Sequence, residues 1–271
     1  MSLVTAHDDG SLDALAAKIA RDRGFAAGYY KDTCLRRRIA VRMRANGVHD
    51  YAQYAALLDT RADEYDKLLD ALTINVTRLF RNHEAWEAVE RLVWPSLFAG
   101  VAPVTVWSAG CATGEEPVTI VMSALASGAT PRSADRLVVH ATDIDPRALA
   151  RARAGVFPHS AFAETPGEWR DRWFTGPARD TATPALLAPI RFAQRDLLQD
   201  PPPARGLQLV VCRNVMIYFD REPQDQLLRT FHDALAPGGF LLLGKVESLL
   251  GPARALFEVV DSRERLFRRA A

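Results

Sequence analysis

The sequence predicts an α/β fold in which a parallel sheet covered by helices follows an all-helical N-terminal domain and carries a small inserted subdomain. Three observations predict it. Residues 1–80 show helical patterns and few strand patterns, strands and helices alternate from Val104 onward, and residues 157–189 interrupt that alternation. Alternating strand and helix units are typical of parallel sheets covered by helices. The predicted domains are therefore residues 1–80 and 81–271, with the insertion at about 157–189.

Four amphipathic helices are predicted in the N-terminal domain, because apolar residues recur at helical spacing and a glycine follows each of the first two segments. These helices run from Leu12 to Arg23, Thr33 to Asn46, Tyr51 to Leu58 and Ala62 to Leu72. A further helix is predicted from about Asn82 to Phe98, where E-A-W-E-A-V-E-R-L-V-W keeps the same apolar spacing. It leads into the second domain.

Five short apolar runs of the second domain are predicted strands: V-T-V-W, L-V-V-H-A-T, I-R-F-A-Q, L-Q-L-V-V-C and F-L-L-L-G. The predicted helices between them run from Pro117 to Leu125, Pro146 to Ala154 and Pro223 to Leu235. The last stretch, L-F-E-V-V-D-S-R-E-R-L-F-R-R, is typical of a hairpin, which adds antiparallel strands at the sheet edge. The insertion is too long for a simple connection, so it is interpreted as a small subdomain or flap.

Composition narrows the class of protein. The chain has 271 residues, of which 48% are hydrophobic and 25% charged, and its net charge is +1, which is ordinary for a soluble globular enzyme. No apolar stretch approaches the length of a membrane span and the N-terminus does not resemble a secretion signal, so we expect a cytoplasmic protein without membrane insertion. The three cysteines lie far apart, so we expect neither a disulfide framework nor a metal site.

A glycine-containing loop, G-C-A-T-G at residues 110–114, follows the first predicted strand. Parallel α/β folds bind nucleotides at this position. The loop does not match the dinucleotide fingerprint, because Ala112 and Glu115 occupy its second and third glycine positions. It also lacks the Gly-Lys-Ser/Thr of phosphate-binding loops. A diphosphate ligand is therefore not predicted.

Four carboxylates border this crevice: Glu115 and Glu116 follow the loop, and Asp143 and Asp145 end the second strand. They would repel a pyrophosphate and attract a cation, by about 1 to 4 kcal/mol per close pair. S-adenosylmethionine, which carries a sulfonium and an ammonium and no phosphate, fits this charge. The alternative is that these acids favour helix starts, with Asp145 as an N-cap. The stretch L-A-P-G-G-F-L-L-L-G, common in Rossmann-like class I methyltransferases, supports a cofactor site.

Five stretches are similar to one known family: L-R-R-R-I-A-V-R-M-R, L-T-I-N-V-T-R-L-F-R, S-A-G-C-A-T-G-E-E-P, A-T-D-I-D and C-R-N-V-M-I-Y-F-D. On these stretches the chain resembles the CheR-type chemotaxis receptor methyltransferases, which transfer a methyl group from S-adenosylmethionine to glutamate side chains of chemoreceptors. The resemblance implies S-adenosylmethionine as cofactor and S-adenosylhomocysteine as product. It also implies cofactor contacts from Asn75, Thr77, Arg81, Glu116, Asp143, Asp196, Leu197, Asn214 and Val215.

Methyl transfer to glutamate requires few catalytic groups in an active site. A glutamate side chain with a pKa near 4.3 is already ionised at neutral pH, so no general base is required. A positive group that orients the carboxylate is expected, and arginine suits a two-point contact. We expect Arg81 and Tyr218 to be catalytic, Tyr218 as an aromatic wall and hydroxyl near the methyl group, with a packed aromatic as its alternative. Arg213 is a weaker candidate, whose alternative is a structural ion pair at the strand end.

The segment from Lys31 to Arg44 is strongly basic, with six basic residues against one acid, Asp32. From the residues alone, a solvated face, an RNA-binding surface and a surface for an acidic protein are equally open. The resemblance implies the cytoplasmic helical bundle of chemoreceptors as the partner of a monomeric enzyme, without nucleic acid. The expected docking residues are Arg36, Arg37, Arg38 and Arg42.

Two other functions stay open from the sequence. The basic helical domain also suits an RNA methyltransferase that uses it as an RNA arm. A non-catalytic or weakly active S-adenosylmethionine-binding signalling protein of the same fold is suggested by Val118, where the family usually has tyrosine, and by Lys245, where histidine is frequent.

Overall fold

The computed structural model describes residues 9–73, 75–127, 135–249 and 251–270. Within them the chain forms two compact units. The first comprises residues 9–73 with Tyr218–Asp220, and the second comprises 75–217 with the described part of 221–270. The predicted boundary after residue 80 lies a few residues beyond this division, and the domain limits stay a prediction.

The first unit is helical, and all four of its predicted helices are confirmed. They are α1 (Asp9–Arg23), α2 (Asp32–Ala45), α3 (Tyr51–Thr60) and α4 (Ala62–Leu72). Leu35, Ile39 and Met43 recur every fourth residue along α2 and are buried, so this face of α2 belongs to the core. Asp50 is the N-cap of α3, because its carboxylate accepts a hydrogen bond of 2.7 Å from the Gln53 N–H.

The helix predicted from Asn82 to Phe98 is two helices, α5 (His83–Leu92) and α6 (Trp94–Phe98). Pro95 lies in the first turn of α6. Because proline has no N–H and its ring clashes with the preceding turn, a continuous helix cannot pass through it, whereas the first turn of a new helix tolerates it. The prediction of one continuous helix was therefore wrong at Val93, which separates the two helices.

The second unit is built on one mixed sheet. Its remaining elements are β1 (Val104–Ala109), α7 (Glu115–Ala126), β2 (Leu137–Asp143), α8 (Pro146–Ala154), α9 (Gly167–Trp173), β3 (Phe174–Thr175), β4 (Thr181–Ala182), α10 (Pro184–Leu187), β5 (Ile190–Gln194), β6 (Leu207–Cys212), α11 (Arg221–Ala234), β7 (Leu235–Leu243), β8 (Phe257–Asp261) and β9 (Leu266–Arg269). The strand order is β5-β2-β1-β6-β7-β9-β8.

The topology of this sheet places a crevice at its centre. Strands β5, β2, β1, β6 and β7 are parallel, and β9 pairs antiparallel with both β7 and β8. The chain moves outward from β1 through β2 to β5 and then returns to β6 on the other side of β1. Ligands bind at such a switch point, at the carboxyl ends of the strands. The predicted α/β fold and its terminal hairpin are confirmed.

The segment predicted as an insertion forms α9, the short hairpin β3–β4 and α10. A β-bridge between Val156 and Thr181 joins it to the end of α8. Its centre is aromatic: Phe174 contacts Phe157 and Phe162 edge to face, with ring centroids 6.1 and 4.8 Å apart. Across the described part of the chain, no helix combines the length and apolar character that crossing a bilayer requires.

Candidate functional site

The loop after β1 is held close to the loop after β6. Gly110 and Gly114 have φ of 83° and 98°, a region that favours glycine. The Gly110 and Cys111 N–H groups donate to the Thr142 carbonyl at 2.8 and 2.9 Å. A Cβ at Gly110 would lie 2.5 Å from Cγ2 of Val215, so a larger residue does not fit. The predicted cofactor residue Val215 thus packs directly on the glycine loop.

Asp143 joins the loop after β1 to the end of β2. Its Oδ2 accepts from the Ala112 N–H at 2.8 Å, and its Oδ1 accepts from the Asp145 N–H at 2.9 Å. Burial raises the pKa of Asp143, and these N–H donors oppose that rise. Asp143 therefore fixes the backbone of two loops at the crevice in addition to bordering it.

Asp145 caps α8, as the helix-start interpretation predicts. Its Oδ1 accepts from the Arg147 N–H at 2.8 Å. Its Oδ2 accepts from Nδ2 of Asn75, also at 2.8 Å. Asn75, predicted to contact the cofactor, is therefore anchored to the same corner of the sheet.

The adjacent carboxylates Glu115 and Glu116 have different surroundings. Glu115 accepts from the Thr113 hydroxyl at 2.7 Å, and burial raises its pKa. Oε1 of Glu116 accepts from the Ser108 hydroxyl at 2.7 Å, while its Oε2 has no hydrogen-bond donor in the part of the chain that the structure describes. Burial raises the pKa of Glu116 to about 7, although the Arg213 charge opposes the rise. Glu116 is thus a half-buried carboxyl group whose ionised form a bound cation would stabilise further.

The segment 75–82 runs beside the glycine loop. Asn75, Val76 and Thr77 line a cavity of about 540 Å³ together with Thr113 and Glu115. The guanidinium of Arg81 donates to the Val76 carbonyl at 2.9 Å.

Arg213 supports the backbone around Arg81. Its Nη2 donates to the Arg81 carbonyl at 2.8 Å and to Oδ1 of Asn82 at 3.0 Å, and its guanidinium lies 5.4 Å from the Trp86 ring centroid. Burial lowers the pKa of Arg213. Its direct contacts are thus two oxygens and an aromatic face, and the charge of Glu116 also acts on the guanidinium. Whether Arg213 has a catalytic or a structural role stays a prediction.

Asp196 and Leu197 follow β5 in a turn stabilised by the Asp196 side chain. The carboxylate of Asp196 accepts from the Leu198 N–H and from Nε2 of Gln199, each at 2.8 Å. The preceding N–H, that of Arg195, donates to the Asp143 carbonyl at 3.0 Å. The predicted cofactor residues after β5 therefore lie beside the end of β2.

The loop after β6 carries Asn214 in the left-handed region, with φ of 60°. Its Oδ1 is buried and has no hydrogen-bond partner within the described ranges. Sequence reasoning missed the residue that holds this loop, Glu247, whose carboxylate accepts from the N–H groups of Asn214 and Val215 at 2.9 Å each. The one local signal is Gly244, three residues earlier in G-K-V-E.

The predicted docking residues of α2 fall into two pairs. Arg42 pairs with the buried Glu64, with 2.9 Å between Nε and Oε1. Arg38 donates to the Ala71 carbonyl at 2.6 Å and lies 5.5 Å from the Tyr218 ring centroid.

Arg36 contacts Asp32 of its own helix at 3.5 Å, and Arg37 is exposed. Arg38 and Arg42 are thus paired inside the first unit, Arg36 is half-buried, and Arg37 is exposed. Tyr218 belongs to this unit, and its predicted place near the methyl group stays a prediction.

The donor and acceptor set at the crevice fits S-adenosylmethionine. Asn214 presents a buried oxygen without a donor among the described residues, and Glu116 offers a half-buried carboxyl group, as an ammonium or hydroxyl ligand requires. Where phosphate-binding loops carry a lysine, the glycine loop of this chain is followed by the carboxylates Glu115 and Glu116. Among the residues with a described position, no three histidine, cysteine or acidic side chains are grouped for a metal.

Comparisons with known proteins agree with this geometry. The family model described as "CheR methyltransferase, SAM binding domain" matches residues 75–266, and "CheR methyltransferase, all-alpha domain" matches 11–73. These matches confirm S-adenosylmethionine as the cofactor.

Curated relatives are similar over most of the chain. A "Chemotaxis protein methyltransferase" of Listeria monocytogenes is 35% identical over 238 residues, which cover 87% of this chain and 88% of that protein. The protein of that name from Escherichia coli K12 is 30% identical over 249 residues, covering 89% and 85%. An "Uncharacterized 104.1 kDa protein" of Rhodobacter capsulatus is 35% identical over 88% of this chain, which spans 25% of that longer protein.

Proposed function

The chain belongs to the CheR methyltransferase family and is therefore an S-adenosylmethionine-dependent methyltransferase; we propose that it methylates glutamate side chains of chemoreceptors for sensory adaptation. The observation that carries the proposal is the crevice at the ends of β1, β2 and β6, where the surroundings of the half-buried Glu116 raise the pKa of its carboxyl group to about 7. The names of the relatives from Listeria monocytogenes and Escherichia coli support the receptor as substrate.

The residues proposed to hold the cofactor surround this crevice. Glu116 pairs with the ammonium, Asp143 faces the ribose, and Asn214 offers as a further acceptor its Oδ1, which has no partner within the described residues. The other proposed contacts come from Asn75, Thr77, Arg81, Asp196, Leu197 and Val215. When bound, S-adenosylmethionine supplies an activated methyl group, and the products are S-adenosylhomocysteine and a glutamyl methyl ester.

Arg81 orients the acceptor carboxylate in this proposal. Its guanidinium has five N–H donors, of which one is used on the Val76 carbonyl, so a pair remains for two-point contact with a carboxylate. Arg213 fixes the main chain of Arg81. Because the acceptor is already ionised at neutral pH, orientation and exclusion of water are the main tasks of the site. Tyr218 is proposed as the aromatic wall.

Docking of the receptor is proposed to use the exposed side of α2. Arg37 is exposed, Arg36 is partly exposed beside Asp32, and an acidic helical bundle is complementary to their positive charge. Arg38 and Arg42 are proposed to act mainly by keeping α2 in place. A monomeric enzyme in the cytoplasm, acting on the cytoplasmic helices of chemoreceptors and without nucleic acid, completes the proposal.

The test is transfer of labelled methyl groups to a receptor cytoplasmic fragment. The expected product releases its label as methanol in mild base, because carboxyl esters are labile. Arg81→Ala should lower transfer at saturating cofactor about a hundredfold. Arg229→Ala is the control, because Arg229 is an exposed arginine of α11 that pairs with Asp225 of its own helix at 2.8 Å. Base-stable label on RNA, or cofactor binding without turnover on any receptor, would contradict the proposal.

A further inference from the structure

Glu247 lies just after β7 and is 3% exposed. Its carboxylate accepts four main-chain hydrogen bonds. Oε2 accepts from Gly244 at 2.6 Å and from Asn214 at 2.9 Å. Oε1 accepts from Val215 at 2.9 Å and from Met216 at 2.8 Å. Three of the four donors are consecutive residues of the loop after β6.

These contacts tie the loop to one side chain. A carboxylate has about four acceptor positions, and here every one is matched by a backbone N–H. Hydrogen bonds to a charged acceptor are stronger than those between neutral groups. Without the carboxylate, three adjacent N–H groups would lose their partners, and buried unpaired donors are costly. Glu247 therefore determines where the backbone of residues 214–216 lies.

The loop that Glu247 holds borders the cofactor crevice. Val215 packs on Gly110, where a Cβ would come within 2.5 Å of its Cγ2, so the two loops have no room to shift toward each other. Asn214 keeps a positive φ and a buried Oδ1 that has no hydrogen-bond partner among the described residues. A small movement of this backbone would change both the contact with the glycine loop and the direction of the Asn214 amide.

Glu247 can approach the loop after β6 because Gly244, three residues earlier, has no side chain. A Cβ at Gly244 would lie 2.7 Å from Oε2 of Glu247 and 2.9 Å from the Asn214 nitrogen. Both distances are too short for a real contact, so alanine at Gly244 must displace the carboxylate or the loop. Gly244→Ala therefore disturbs the hydrogen bonds of Glu247 without removing its carboxylate.

We infer that Glu247 is a positioning residue for cofactor binding: by accepting the N–H groups of 214–216 it holds Asn214 and Val215 in the geometry that receives S-adenosylmethionine. The inference rests on the proposed cofactor contacts of these two residues. It does not depend on which side chain accepts the methyl group.

The experiment measures the Kd of S-adenosylmethionine and S-adenosylhomocysteine by titration calorimetry, together with Tm. In Glu247→Gln the side-chain oxygen still accepts, but the NH₂ group faces N–H donors. We expect the Kd of the folded protein to rise about tenfold or more, with kcat at saturating cofactor nearly unchanged. Glu258→Gln, an exposed glutamate of β8, is the control and should bind as the unaltered protein does.

Gly244→Ala provides a second, independent test. It should also raise the Kd, and it decides the question if Glu247→Gln does not fold. A lower Tm with an unchanged Kd in either folded variant would show that Glu247 stabilises the fold only, and would overturn the inference. Because binding is the readout, failure of the proposed receptor methylation would be seen separately, as normal cofactor binding without transfer.

Discussion

Cofactor binding should depend on pH through the carboxyl group of Glu116. Burial raises the pKa of Glu116 to about 7. At pH 6 only about a tenth of the molecules then carry the carboxylate that pairs with the ammonium, and at pH 7 about half do. Binding therefore releases a proton, and the affinity for S-adenosylmethionine should rise about fivefold from pH 6 to pH 7. An α-amino group stays largely protonated over this interval, so the ligand's own titration contributes little.

Titration calorimetry across this interval, in buffers of different ionisation heats, measures both the Kd and the protons released. Glu116→Gln is the control: its affinity at pH 7 should be lower and nearly independent of pH. An unchanged Kd from pH 6 to pH 7, or the same pH dependence in Glu116→Gln, would refute the reasoning.

The same group affects stability without the cofactor. Between the usual pKa of 4.5 and the raised value of about 7, the unfolded chain has released this proton and the folded chain has kept it. The unfolded state then binds fewer protons, so the contribution of Glu116 to the free energy of unfolding falls as pH rises through this window. Glu116→Gln should remove that fall.

Two further predictions test the scaffold around the site. Gly110→Ala should weaken cofactor binding about tenfold or more, because its Cβ would lie 2.5 Å from Val215 Cγ2 at a φ of 83°; calorimetry checks it, and unchanged binding would contradict the proposed role of the loop. Arg42→Met should lower the free energy of unfolding by about 3 kcal/mol, because it leaves the Glu64 carboxylate buried without its cation. Urea unfolding measures this, and the exposed Arg37→Met should stay within about 0.5 kcal/mol of the unaltered protein.

Periodic patterns explain why most elements could be predicted. The strands of the sheet are short apolar runs, and the helices of the first unit repeat apolar residues at helical spacing, so each is specified within its own segment. The break between α5 and α6 was missed because the apolar spacing continues across Val93 while Pro95 suits the start of a new helix.

The parts of the site that escaped prediction depend on distant or main-chain partners. Arg42 was predicted to dock the receptor, but it pairs with Glu64 on another helix. No local sequence pattern predicts a pair between two helices. The role of Glu247 was not predicted because all four of its donors are backbone N–H groups. Almost every residue type has such a group, so the sequence does not indicate these partners. Glu116 was identified because its charge contradicts a phosphate loop, which is a local signal.

Methyl transfer to a receptor carboxylate at the crevice formed by the ends of β1, β2 and β6 can be observed by mass spectrometry. A chemoreceptor cytoplasmic fragment is incubated with the protein and S-adenosylmethionine. We expect methyl esters on glutamate side chains that mild base removes as methanol, and their loss in Arg81→Ala. A fragment that stays unmodified while the protein binds the cofactor, or a methyl group that resists base, would show that the crevice does not serve this reaction.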